Sequence, residues 1–153
     1  MKKIASFTVD HDKLEKGMYI SRIDGDAVTY DIRMKKPNGG DYLSNGALHT
    51  FEHLFATYVR NGKYSGSVIY VGPMGCRTGF YMILRDSVSG EEAIELVKNC
   101  FEFIANFGGE IPGSKRKECG NYLEHDLNGA KAVAKDMLSV LKDWHTKDLK
   151  YKE

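Results

Sequence analysis

The spacing of hydrophobic positions changes several times along this chain, and each change marks an element. From Val28 to Met34 the positions alternate, with Val28, Tyr30, Ile32 and Met34 on one side and Thr29, Asp31 and Arg33 on the other. That period of two is the pattern of a strand with one buried and one polar face. The run from Met18 is also β-prone, and Asp24-Gly25 between the two runs is a strong turn signal, so residues 18–34 predict a β-hairpin. The period then lengthens: Leu48, Phe51, Phe55 and Tyr58 recur at helical spacing, with Ser44 and Asn45 suited to the N-cap and Asn61-Gly62 to the stop. Two short strands are predicted at residues 67–71 and 79–84, on either side of a glycine-bounded turn. A helix over residues 89–107 opens on a capping box, Ser89 with Glu92, and carries the stripe Ala93, Ile94, Val97, Cys100, Phe101 and Ile104. The last helix, over residues 128–144, turns Ala130, Val133, Ala134, Met137, Leu141 and Trp144 inward. Residues 1–16 are mixed, with Phe7 and Val9 as the expected buried points, and the tail from Lys147 is expected to fray.

Strands joined by short turns, followed by amphipathic helices, predict an α+β fold: an antiparallel β-sheet with helices packed on one face. A length of 153 residues predicts one domain, residues 1–153, with a proper core. Lys and Arg total 22 against 21 Asp and Glu, so the net charge of +1 gives no reason to expect nucleic acid or a membrane as partner. No apolar run suits a signal peptide or a membrane span, and a cytoplasmic location is expected. Three cysteines, Cys76, Cys100 and Cys119, are too few and too unevenly placed for a disulfide framework.

The helix over residues 47–60 contains His49-Thr50-Phe51-Glu52-His53, an H-x-x-E-H string. At i, i+4 the two histidines project from one face, and two imidazoles can then reach one metal ion. Glu52 lies on the same flank as a proton carrier or as a partner to the ligands. Catalytic metal sites commonly take three protein ligands and leave a position open. Cys119 suits the third place because it sits in a polar loop, between Glu118 and Gly120, rather than on an apolar stripe. Its thiolate would complete a His₂Cys set fit for Zn²⁺ or Fe²⁺, with His125 and Glu124 as alternative ligands. Cys76 lies in Met74-Gly75-Cys76-Arg77-Thr78-Gly79, where Arg77 would favour a reactive thiolate, while Cys100 falls on a core stripe. Arg33 and Asp31 share the polar side of the hairpin, either as an ordinary surface pair or as a clamp for a carboxylate or a hydroxyl-rich ligand. The same H-x-x-E-H string also occurs in metallopeptidases, where Glu52 would activate water and Glu118 or Glu124 would be the third ligand. A closed, non-enzymatic metal or redox module is the other alternative.

Five strings taken together resemble one family: Ser6-Phe7-Thr8-Val9-Asp10-His11; Asp31-Ile32-Arg33 with Pro37-Asn38; His49-Thr50-Phe51-Glu52-His53; Pro73-Met74-Gly75-Cys76-Arg77-Thr78-Gly79-Phe80-Tyr81; and Cys119-Gly120-Asn121-Tyr122. In order and coverage they look like the S-ribosylhomocysteine lyase, or LuxS, family. The resemblance implies a two-layer α+β homodimer with shared active sites. It implies one Fe²⁺ per subunit, replaceable by Zn²⁺ or Co²⁺, on His49, His53 and Cys119. Cys76 and Glu52 would carry protons, and Ser6, His11 and Arg33 would bind substrate or assist its proton transfers. The implied reaction cleaves the thioether of S-ribosylhomocysteine, giving homocysteine and 4,5-dihydroxy-2,3-pentanedione, the precursor of autoinducer-2.

Overall fold

The computed structural model describes residues 1–152. Strands β1 (Gly17–Asp24) and β2 (Ala27–Arg33) form the expected hairpin, with Gly25 in the left-handed conformation (φ 60°) that a tight turn requires. Strands β3 (Val68–Pro73) and β4 (Gly79–Arg85) form a second hairpin, and all pairings are antiparallel in the order β1-β2-β4-β3. Helices α1 (Asn45–Arg60), α2 (Gly90–Ala105) and α3 (Leu127–Val140) complete the α+β architecture. Their caps follow from the sequence. Ser44 accepts from the Ala47 amide and Ser89 forms the capping box with Glu92, while α3 is capped by Asp126, which accepts from the Gly129 amide.

One face of the sheet builds the core. Met18, Val28, Tyr30, Ile32, Phe80, Met82 and Leu84 are buried against helix residues that include Phe51, Phe55, Val97, Phe101 and Met137. The ring of Phe51 lies 5.3 Å from that of Phe80, tilted to it, and 5.1 Å from that of Phe101, edge to face, so sheet, α1 and α2 interlock through aromatic rings. Within α1 the fully packed positions are Thr50, Phe51, Leu54, Phe55 and Val59, whereas Leu48 and Tyr58 are half-buried. The true stripe is rotated slightly from the predicted one.

Alternation sends Asp31 and Arg33 to the opposite face of the sheet, away from the helices. That face is not the polar, solvated one the hairpin pattern predicts. Asp31 and Arg33 are 1% and 3% exposed. The cover comes from the C-terminal segment. The tail expected to fray instead docks: a 3₁₀ turn at Thr146–Leu149 packs beside β1, Leu149 is buried, and Tyr151 reaches Asp31. The Trp144 indole N–H donates to the Met18 carbonyl at 2.9 Å and fixes the crossing point. Phe7, expected to be buried, is 68% exposed, and Ile4 beside it is 54% exposed.

Candidate active site

His49 and His53 emerge one turn apart on the half-buried flank of α1, their rings 4.7 Å apart. Each Nδ1 lies 2.8 Å from a backbone carbonyl, that of Glu124 for His49 and that of Pro112 for His53. A carbonyl can only accept, so both Nδ1 atoms carry the proton and both Nε2 atoms present lone pairs. Those lone pairs meet the Cys119 sulfur, at 3.3 Å from His49 and 3.9 Å from His53. The two carbonyls belong to the long connection between α2 and α3, the same segment that delivers Cys119. Gly113 belongs to it as well. Its φ of +68° is glycine-favoured, and a Cβ there would press on the His53 ring at 3.3 Å.

His125 completes a group of four whose donor atoms all lie within 4.8 Å of one another. Its ring stacks on His49 at 4.0 Å. Its Nδ1 is 2.9 Å from the Thr50 hydroxyl, which already accepts from the Asp126 amide. The Thr50 oxygen has two lone pairs and one proton, so this contact is satisfied by either tautomer of His125. Nε2 is buried and has no partner among the described residues. Burial, followed by the nearby His49 and His53, lowers the proton affinity of His125 and keeps it neutral. The carbonyls against Nδ1 thereby turn the Nε2 lone pairs of His49 and His53 toward the sulfur, while the hydroxyl against His125 imposes no such choice. The donor set of two imidazoles and a thiol fits a divalent metal ion with one position left open.

Glu52 sits beside this group, in a pocket of ≈ 320 Å³ shared with His53, Ala56, Thr57, Val71, Pro112 and Gly113. Its carboxylate accepts no hydrogen bond from the chain among the described residues. No carboxylate belongs to the four-donor group. Glu124 contributes only its backbone carbonyl, and this disfavours the peptidase arrangement.

A second group forms on the far face of the sheet. Arg33 grips Asp31 through Nε (3.1 Å) and Nη2 (2.7 Å), and its Nη1 donates to the Thr78 hydroxyl at 2.8 Å. Thr78 in turn lies 3.1 Å from the sulfur of Cys76, which is exposed in the β3–β4 turn. Burial opposes the Arg33 charge, but Asp31 outweighs it and the guanidinium holds its proton more tightly than usual. Arg77, the cation expected to serve Cys76, turns instead to the Leu43 carbonyl (3.1 Å) and the Tyr42 ring. Cys100 is buried in the core, and burial pushes its thiol well up. Ser6 and His11 lie in the N-terminal segment, with His11 Nδ1 2.9 Å from the Val9 carbonyl.

The sequence-predicted residues therefore fall into two sets. His49, Glu52, His53 and Cys119 gather on the helix side, and Arg33 and Cys76 gather on the other face of the sheet. No hydrogen bond joins the two sets, or either set to Ser6 or His11, among the described residues. Sequence reasoning missed Thr78 and Tyr151. Thr78 could have been found as a hydroxyl two positions after a candidate cysteine, whereas no local signal marks Tyr151.

Comparison with known proteins agrees with this geometry. The profile of the S-ribosylhomocysteinase (LuxS) family matches residues 4–148. The S-ribosylhomocysteine lyase of Phocaeicola vulgatus is 48% identical over 156 residues, covering 99% of this chain and 97% of the relative. That of Borreliella burgdorferi is 45% identical, with 99% of both chains covered. That of Clostridium acetobutylicum is 44% identical over the full length of both. On that match, extending over nearly all of its length, the chain belongs to the S-ribosylhomocysteinase (LuxS) family.

Proposed function

We propose that this chain is an S-ribosylhomocysteine lyase, a carbon–sulfur lyase that converts S-ribosylhomocysteine to homocysteine and 4,5-dihydroxy-2,3-pentanedione. The observation that carries the reading is the pair of tautomer-locked histidines meeting the Cys119 sulfur, in a chain matched to the family over residues 4–148. His49, His53 and Cys119 hold the metal ion. Fe²⁺ is the native ion, with Zn²⁺ or Co²⁺ able to replace it, since a thiolate with two imidazoles suits these ions. The bound ion supplies Lewis acidity, which eases removal of protons next to a carbonyl.

The chain's own groups then move protons. The sugar carbonyl must migrate from C1 to C3, which requires a proton to leave one carbon and be returned to its neighbour at each shift. Cys76 and Glu52 are the two carriers, one on each side of the substrate. With the carbonyl at C3, a base removes the C4 proton, the C5–S bond breaks with its electron pair leaving on sulfur as the homocysteine thiolate, and the resulting enol takes a proton at C5 while its hydroxyl gives one up, yielding the diketone. Arg33, Ser6 and His11 bind the substrate or assist its proton transfers.

The two sets of residues meet across a homodimer. The sheet stands between Arg33 and the metal group within one chain, and Phe7 and Ile4 present exposed apolar surface next to Ser6. A two-fold axis brings the Cys76 face of one protomer to the metal face of its partner, giving two shared sites. We place the enzyme in the cytoplasm; no helix among the described residues is long and apolar enough to cross a membrane.

The test is release of free thiol from S-ribosylhomocysteine, followed with a thiol reagent under anaerobic conditions with Fe²⁺. The wild type releases thiol, and Cys76→Ala and Glu52→Ala retain metal but lose turnover. Absence of thiol release from the wild type overturns the reading. Loss of metal from either variant overturns that residue's role.

A further inference from the structure

The C-terminal segment ends in a contact that the proposed chemistry does not use. Tyr151 donates its hydroxyl to Asp31 Oδ2 at 2.7 Å. Its ring stacks on Tyr19 at 5.1 Å with an interplanar angle of 23°, and Tyr19 is itself met edge-on by Trp144 at 5.7 Å. Burial and the neighbouring Asp31 push the Tyr151 phenol up, so it stays a donor. Asp31 Oδ2 thus takes two donors, Tyr151 and Arg33 Nη2, each at 2.7 Å. This charge-assisted pairing fixes the carboxylate, and with it the plane of the guanidinium that Asp31 grips at Nε and Nη2.

The fixed plane aims Arg33 Nη1 at Thr78. A guanidinium has only donors, so Thr78 Oγ1 accepts. Thr78 is 2% exposed, and the sulfur of Cys76 is the only other partner of its hydroxyl among the described residues. A buried hydroxyl proton without an acceptor is costly, so it goes to the sulfur. The chain of bonds therefore runs in one sense, from Tyr151 through Asp31, Arg33 and Thr78 to Cys76, and ends on a sulfur that accepts.

We propose that Tyr151 and Thr78 are positioning residues for Cys76: the docked tail holds Arg33 through Asp31, and Thr78 delivers the resulting hydrogen bond to the sulfur. The role of Cys76 as proton carrier belongs to the reading above, but the bond network stands on its own geometry. The first readout therefore does not depend on turnover.

Iodoacetamide alkylation, resolved by peptide mass spectrometry, reports Cys76 separately from Cys119 and Cys100. Alkylation proceeds from negatively charged sulfur, so loss of a hydrogen bond to that sulfur disfavours the attack by about tenfold. The greater intrinsic reactivity of the less stabilised thiolate returns about threefold of that. In the metal-loaded protein, Thr78→Val should slow Cys76 alkylation about threefold, Thr78→Ser should restore it, and Cys119 should be unaffected. Tyr151→Phe keeps the ring stack, loses only the hydroxyl, and should slow Cys76 in the same direction. Adding it to Thr78→Val should change nothing more, because both act on one path. With S-ribosylhomocysteine, Tyr151→Phe should lower kcat and leave KM unchanged. Wild-type Cys76 alkylation in Thr78→Val, or failure of serine to restore it, overturns the role of Thr78. Independent, additive effects of the two substitutions overturn the path from Tyr151. Responsive alkylation in a protein that releases no thiol leaves the network standing and removes the lyase reading instead.

Discussion

Replacing Asp31 by Ala separates two views of the Arg33–Asp31 pair by a large margin. A surface pair contributes at most about 1 kcal/mol. In the structure the two side chains are 4% and 2% exposed and joined by two hydrogen bonds, and Asp31 also satisfies Tyr151. Asp31→Ala leaves a guanidinium charged, buried and facing no carboxylate, which costs about 3–5 kcal/mol. For a chain of 153 residues this corresponds to a fall in Tm of roughly 6–20 °C, at about 2–4 °C per kcal/mol. Removing both charges together, as Asp31→Leu with Arg33→Met, should recover most of the loss, because no unpaired charge remains. The assay is thermal and urea unfolding at one fixed protomer concentration, since an associating protein's Tm depends on it. A loss below about 1 kcal/mol for Asp31→Ala, or a double variant worse than the single, refutes the buried pair.

Three further outcomes are expected. Alanine at His49, His53 or Cys119 should sharply reduce metal content measured by plasma mass spectrometry, and a fully loaded Cys119→Ala protein would remove that residue from the ligand set. Peroxide should oxidise Cys76, which is exposed, ahead of Cys100, which is buried, and peptide mass spectrometry showing Cys100 first would reverse both assignments. Mixing and re-pairing two inactive variants, His53→Ala and Cys76→Ala, should recover about a quarter of wild-type thiol release, since half the dimers are mixed and each mixed dimer has one intact site. No recovery would place both residues of a site on the same chain.

The amino-acid order alone determined the elements and half of the candidate site. The hairpin around Gly25, the capping box of α2 and the H-x-x-E-H face of α1 are all written within a few consecutive residues, because caps, turns and the periods of two and 3.6 are local. Cys119 could be told from Cys100 for the same reason: one lies in a polar loop, the other on an apolar stripe. What the tertiary structure decided was partnership over long separations. The hairpin alternation could mark Asp31 and Arg33 as one face but not that Tyr151, 120 positions later, would cover it. A polar face becomes a buried ion pair only when another part of the chain excludes water from it. Nor could the order of residues choose which arginine serves Cys76. Arg77 is adjacent in the chain, yet its backbone turns it away at φ 60°, while Arg33 arrives across the β2–β4 pairing through Thr78. The histidines divide on the same principle, since identical side chains differ only in whether packing sets a carbonyl or a hydroxyl against Nδ1.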